Sequence, residues 1–262
     1  MTDLVTLRHE TRPRGRIAHV AIDNPRKLNS LSSEVMAAFV VIFEALAGEP
    51  DLRCVVLSGA GDKAFIGGAN IDEMAAIASP AEARAFILKV HACCRAIRDL
   101  PVPVIAAVNG WCLGAGLEVA AACDMRLAAE TAAFGMPEVK LGIPSVVEAA
   151  LLPQLIGWGR TRRILMTGET FTAADALAWG FVEAVHPAAG LTAAVDHLLD
   201  LLLEAEPQAV RLQKALIRRW EDASTTDAIA AGVDAFEDAW RGEEPRRAMA
   251  RYLTDRAAPK KS

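Results

Sequence analysis

The chain has 262 residues, 53% of them hydrophobic and 23% charged. That composition fits one large globular domain, or one domain with an appended piece, and excludes wholesale disorder. A formal net charge of −5, with no basic stripe interleaved with aromatics, gives nucleic acid no electrostatic footing.

The five cysteines, Cys54, Cys93, Cys94, Cys112 and Cys123, sit in apolar segments without the paired spacing of a zinc site. No metal is expected, and the thiols read as reduced core residues of a cytoplasmic protein. Asp3, Arg8, His9 and Glu10 stand where an export signal needs an apolar core. The longest uncharged apolar run of helical character, residues 35–43, falls far short of the ~20 residues a bilayer demands, so no membrane partner is expected.

In chain order, residues 16–22 read as a strand ended by the breaker pair Asn24-Pro25. Residues 32–47 read as a helix, because Val35, Met36, Phe39, Val40, Phe43 and Leu46 recur at three- and four-residue spacing and Gly48 closes it. Residues 53–58 form a second buried strand and residues 64–66 a short one, before a helix start where Asn70 caps with Glu73 three residues later. Ser79-Pro80-Ala81-Glu82 combines a cap, a first-turn proline and a capping-box glutamate, and opens a helix to about residue 100.

A strand over 102–108, a glycine-bearing turn over 109–116, a short helix over 117–123 and strands over 125–129 and 132–134 follow. Past Ser145 the pattern is nearly all helical apart from 182–185. The alternation predicts an α/β fold of repeated strand-strand-helix units over 1–206, with a helical region over 207–262.

Three segments share one design, in which a strand ends, small residues follow and a helix begins. They are Phe65-Ile66-Gly67-Gly68-Ala69-Asn70-Ile71, Asn109-Gly110-Trp111-Cys112-Leu113-Gly114-Ala115-Gly116 and Phe134-Gly135-Met136-Pro137-Glu138. Singly each is an ordinary tight turn. Together they supply helix-start N–H groups that lack internal partners, and two of these converging on one oxygen make an oxyanion hole. Glu118 lies on a helix whose other residues are small or apolar, so it reads either as a glutamate at the helix's one wet edge or as a buried carboxyl that desolvation pushes toward neutral pH. Glu138 reads either as a first-turn glutamate favouring the helix dipole or as the second member of a proton-transferring pair. A Gly-x-Ser-x-Gly elbow, a phosphate loop ending in Gly-Lys-Ser/Thr and a His-Glu-x-x-His helix are all absent from the sequence.

With those residues laid out, the sequence resembles the crotonase family, the enoyl-CoA hydratase/isomerase superfamily. The likeness is carried by Asn24-Pro25-Arg26-Lys27-Leu28-Asn29-Ser30-Leu31, the first loop above, the block 104–124, and the third loop continued through Val139-Lys140-Leu141-Gly142-Ile143-Pro144. The resemblance implies a spiral of strand-strand-helix repeats and a carboxy-terminal helical region that trimerises, often as a dimer of trimers. The substrate it implies is an acyl-CoA thioester, with no separate cofactor, since coenzyme A is part of the substrate.

By position, the resemblance makes the Ala69 and Ala115 N–H groups the oxyanion donors. Gly67 and Ile71 fall where the family meets adenine, and Arg26, Lys27 and Leu28 where it meets the phosphates and pantetheine. Asn70, Gly114, Pro137 and Ser145 fall among the remaining substrate-binding positions. Glutamates at both the Glu118 and Glu138 positions match the hydratases, with Glu138 exchanging the C2 proton and Glu118 deprotonating the water that attacks C3. Isomerisation, decarboxylation or thioester hydrolysis on the same scaffold, and a non-catalytic CoA-binding subunit, are the competing readings.

Two departures stand out. After Pro144 the chain reads Ser145-Val146-Val147-Glu148, where Glu148 reads either as a third acidic group or, with Ser145, as a capping box opening a helix to Ile156, and the valines as candidates to line the acyl pocket. Asp255 falls where the family often has a CoA-contacting lysine, leaving Arg256 or Lys260 to replace it, or the contact absent.

Overall fold

Most of the expected strands and helices are present in the computed structural model, which describes residues 4–257. The chain divides into two compact units, residues 1–200 and 201–262. In the first, β1 (Val5–Arg12) pairs antiparallel with β2 (Gly15–Ile22). The sequence gives no warning of β1, an edge strand with six of its eight residues charged or polar and one position buried.

Helix α1 (Ser33–Ala47) starts at Ser32, whose Oγ accepts from the Val35 N–H at 3.2 Å, and buries Val35, Met36, Phe39, Phe43 and Leu46. The spiral follows from how each repeat splits its strands. β3 (Leu52–Gly59) enters a large sheet and β4 (Ala64–Ile66) a small one, before α2 (Ile71–Ala75) and α3 (Pro80–Asp99). The division repeats with β5 (Val104–Val108), β6 (Trp111–Leu113) and α4 (Ala115–Ala122), and again with β7 (Met125–Ala129), β8 (Ala133–Gly135) and α5 (Leu152–Thr167).

The large sheet runs β1-β2-β3-β5-β7-β10 and the small one β4-β6-β8-β9, with β9 (Thr170–Thr172) before α6 (Ala173–Trp179) and β10 (Ala184–His186) after it. Strands 3, 5 and 7 pair in parallel, as do 4, 6 and 8. The turns after β4, β6 and β8 therefore emerge on the same side, whereas β9 runs antiparallel to β8. Strands β6 and β9 have three residues each, too short for periodicity to reveal them.

The caps correct the sequence reading in one respect. Asn70 does cap α2, its Oδ1 accepting from the Asp72 and Glu73 N–H groups at 2.9 and 3.2 Å. Glu73 does not close a box on Asn70. Its carboxylate accepts from the Ser33 N–H and hydroxyl, tying α2 to the start of α1. Likewise Glu82 accepts from the Ala78 N–H rather than that of Ser79.

The second unit holds α8 (Pro207–Asp222), α9 (Thr225–Trp240) and α10 (Glu244–Ala257); α7 (Leu191–Glu204) leads into it from the first. Glu244 accepts from the Gln208 and Ala209 N–H groups, closing the α8 amino terminus, and Trp220 Nε1 donates to the Ala228 carbonyl at 2.9 Å. Ile229, Val233 and Phe236, at four- and three-residue spacing on α9, are 66–67% exposed. Among the described residues no helix is long and apolar enough to cross a membrane.

Candidate active site

The three strand-to-helix turns meet at a cavity of about 500 Å3. The first contributes Gly67, Gly68 and Ala69 to its wall, the second Leu113, Gly114 and Ala115, and the third Pro137 and Glu138. Glu118 lines it from α4, while Met74, Ile77, Phe86 and Ile87 from the α2–α3 region make one wall apolar.

Backbone contacts weld the turns together. Gly116 has no room for a side chain, since a Cβ there would stand 2.1 Å from the Ile66 carbonyl oxygen. The start of α4 is thus pressed against the end of β4, next to the first loop. Gly114 takes φ +51 and donates its N–H to the Gly135 carbonyl at 2.9 Å, joining the second loop to the third. A Cβ on Gly114 would lie 2.5 Å from Glu138 Oε1, so this glycine also makes space for the carboxylate. The glycines serve close packing of loop on loop as well as ligand approach. Gly116→Ala should destabilise the fold by about 1–3 kcal/mol, the usual range for overpacking. A lowered denaturant midpoint checks this, and an unchanged midpoint would refute the close approach.

Leu31 donates to the Gly68 carbonyl and accepts from the Asn70 N–H, at 2.8 and 2.9 Å. Ala69 sits between them in an isolated parallel bridge, which directs its own N–H away from Leu31. Ala115 is the first residue of α4, where an N–H has no intrahelical acceptor. Neither N–H has a hydrogen-bond acceptor among the described residues, and both residues line the cavity.

Glu118 is 4% exposed, with Oε1 accepting from the Ala149 N–H at 3.3 Å. Burial pushes its carboxyl up to about 8; the Glu138 charge adds to the rise, the Ala149 N–H opposes it and Glu148 adds a smaller push. Glu138 is half-buried at the start of the 3-10 turn Pro137–Leu141, and its Oε2 accepts from the Ser145 hydroxyl at 2.8 Å.

Ser145 therefore does not cap a helix. The capping-box reading of Ser145 and Glu148 is wrong: the chain makes a 3-10 turn over Val147–Leu151, whose N-cap Val146 makes no side-chain cap bond. Val147 adopts φ +39, and α5 begins only at Leu152, with a non-helical Gly157 inside it. The engagement of Ser145 with Glu138 outcompetes the local cap, and no pattern within the sequence of that segment announces it. Of the two valines, Val146 lines the cavity.

Of the other positions, Gly67 and Ile71 line the cavity, and Gly67 donates to the Leu28 carbonyl at 2.8 Å. Arg26, Lys27 and Leu28 form the turn beside it; Lys27 Nζ lies 3.0 Å from Asp72, and Leu28 takes a left-handed φ of +53. Asn29 was not singled out from the sequence, yet it holds this turn in place. Fully buried at φ +54, it donates to the Ala60 and Ala64 carbonyls and accepts from the Asn24 N–H. The Asn70 side chain is engaged by its capping bonds rather than exposed to the cavity. Arg256 is exposed in α10, and Lys260 lies outside the described residues.

Two unengaged N–H groups facing a cavity, with two carboxylates beside them, can hold an oxyanion while protons move at neighbouring atoms. Comparison with known sequences and structures gives the family. The sequence model of the enoyl-CoA hydratase/isomerase family matches residues 12–261, and the chain belongs to that family. A short-chain-enoyl-CoA hydratase of Clostridium acetobutylicum is 33% identical over 243 residues, 92% of this chain and 93% of the relative. A crotonyl-CoA hydratase of Syntrophomonas wolfei is 33% identical over 93% of this chain and 94% of its own length. The crystal structure of an enoyl-CoA hydratase from Bacillus anthracis superposes with a TM-score of 0.91 at 29% identity, covering 97% of both chains.

Proposed function

We propose that this chain is an enoyl-CoA hydratase, adding water to a 2-enoyl-CoA thioester and reversing the reaction on a 3-hydroxyacyl-CoA. The observation that carries this reading is the cavity that joins the free N–H groups of Ala69 and Ala115 to the two carboxylates of Glu118 and Glu138. Water attacks C3 and gives a proton to Glu118. The thioester oxygen takes up negative charge as an enolate held by the two N–H groups, and C2 receives a proton from Glu138. Bonds and protons balance: the pair holds one proton before the reaction and one after it.

That balance fixes the pH dependence. Hydration starts with the proton on Glu138 and dehydration with it on Glu118, so both directions need a singly protonated pair. With Glu118 pushed up to about 8, kcat/KM should fall as pH rises through about 8, along the same limb in both directions. A kcat/KM that does not fall as pH rises through about 8 would contradict the shared proton.

The reading is tested with the purified protein on short, long, aromatic and carnitine-type enoyl-CoA thioesters, following loss of the conjugated thioester absorbance. Hydration of at least one class is expected. Isomerisation, decarboxylation or hydrolysis without hydration would overturn it.

The exposed Ile229, Val233 and Phe236 stripe supports assembly through the carboxy-terminal helices as a trimer or a dimer of trimers. Light scattering should give three or six chains, and a monomer at working concentration would contradict it. Five buried free thiols support a reducing compartment, the cytoplasm.

A further inference from the structure

Glu148 has no part in the scheme above, yet it stands directly behind it. The left-handed Val147, a conformation a β-branched residue rarely adopts, turns the chain so that Ala149 faces Glu118 and Glu148 points inward. Glu148 is 8% exposed. Its Oε1 lies 2.7 Å from Nδ1 of His91 on α3, which at that distance from a carboxylate is the donor. Its Oε2 is buried and has no hydrogen-bond partner in normal geometry among the described residues.

A buried carboxylate whose second oxygen has at most a weak thiol donor is destabilising, and an apolar side chain of similar size would serve packing better. The titratable groups facing Glu148 are His91 and the thiols of Cys93 and Cys94 on α3, then Glu118 on α4, with Glu138 beyond it. Burial pushes the Cys93 thiol up to about 12 and the Cys94 thiol well above its ordinary value, so both stay neutral. Cys94 reaches the Glu148 carboxyl as a weak donor. His91 is the one donor that ties Glu148 to the surface, its side chain 43% exposed.

Resting on the hydratase reading, we propose that Glu148, held by His91, is a positioning residue for the proton-transfer pair: it presents the Ala149 N–H to Glu118, and its charge keeps the shared proton bound. The direction is set by charge. A negative group behind Glu118 disfavours a second negative charge there, so the pair retains its single proton to higher pH than it would with a neutral residue at this place. The rise at Glu118 has Glu148 among its causes, below burial and Glu138.

The experiment is the pH profile of kcat/KM for crotonyl-CoA hydration and 3-hydroxybutyryl-CoA dehydration by the full-length protein. Glu148→Gln keeps the shape and removes the charge, and should move the alkaline limb down by on the order of one pH unit in both directions. The plateau below the limb should change little. His91→Ala removes the ring donor that holds the carboxylate behind Glu118, so the limb should move the same way. His91→Asn restores a donor near the Nδ1 position and should restore the limb.

A residue that only supports the fold would lower stability and leave the limb in place. An unmoved limb in both Glu148→Gln and His91→Ala overturns the proposal. If Glu148→Gln does not fold, the His91→Ala and His91→Asn pair decides alone, since His91 is partly exposed. A parent enzyme with no alkaline limb at about pH 8 would instead overturn the hydratase scheme on which the proposal stands.

Discussion

Glu118→Gln should lower hydration by roughly 10²–10⁴, the range for loss of one general acid–base group. The amide keeps the size of the side chain, and its carbonyl can still accept from the Ala149 N–H that now meets Oε1 at 3.3 Å. Fold and thioester binding should therefore survive, and the loss should appear in kcat rather than KM. Glu118 is 4% exposed among small and apolar neighbours. A neutral amide there is less expensive to bury than a carboxylate, so stability should not fall. A Glu118→Gln enzyme that hydrates at the normal rate would make Glu118 a buried structural group, and the isomerase or decarboxylase reading would move ahead.

Ala69→Pro should lower turnover by on the order of 10²–10³, the usual effect of removing one oxyanion donor. The bonds around Ala69, from Leu31 to Gly68 and from Asn70 to Leu31, do not involve the Ala69 N–H. Replacing that N–H by a ring nitrogen removes the donor and leaves the ladder intact. Ala69→Gly is the control: it keeps the N–H and should retain most of the activity. Circular dichroism and a denaturant midpoint separate loss of the donor from a disturbed loop. A folded, fully active Ala69→Pro enzyme would remove Ala69 from the oxyanion hole.

The repeated fold was legible because the buried strands of the large sheet and the long amphipathic helices carry their periodicity in the chain itself. Residues 64–66 are legible because glycines and a cap follow them, whereas β6, just as short between Gly110 and Gly114, reads as part of a glycine-bearing turn and β9 falls in a stretch that reads as helical. Strand β1 escaped because its edge position leaves its residues in water, where no alternation is imposed.

At the site, the apolar surroundings of Glu118 announced its burial. The partners of Glu138 and Glu148 could not be read, because Ser145 binds Glu138 seven residues back and His91 binds Glu148 from 57 residues away. A Ser-x-x-Glu spacing reads as a capping box when only local bonds are considered. Tertiary partners for both residues decided otherwise. Nor does the glycine-bearing turn show in sequence that the Ile66 backbone fills the space beside Gly116.

The most direct test of the divided roles is exchange of the C2 hydrogen of a 3-hydroxyacyl-CoA or saturated acyl-CoA with deuterated solvent. Exchange needs a base at C2 and a held enolate oxygen, but no water at C3. Glu118→Gln should retain measurable exchange while losing hydration, and Glu138→Gln should lose both. Exchange that survives in Glu138→Gln and vanishes in Glu118→Gln would reverse the roles assigned to the two carboxylates and contradict the mechanism.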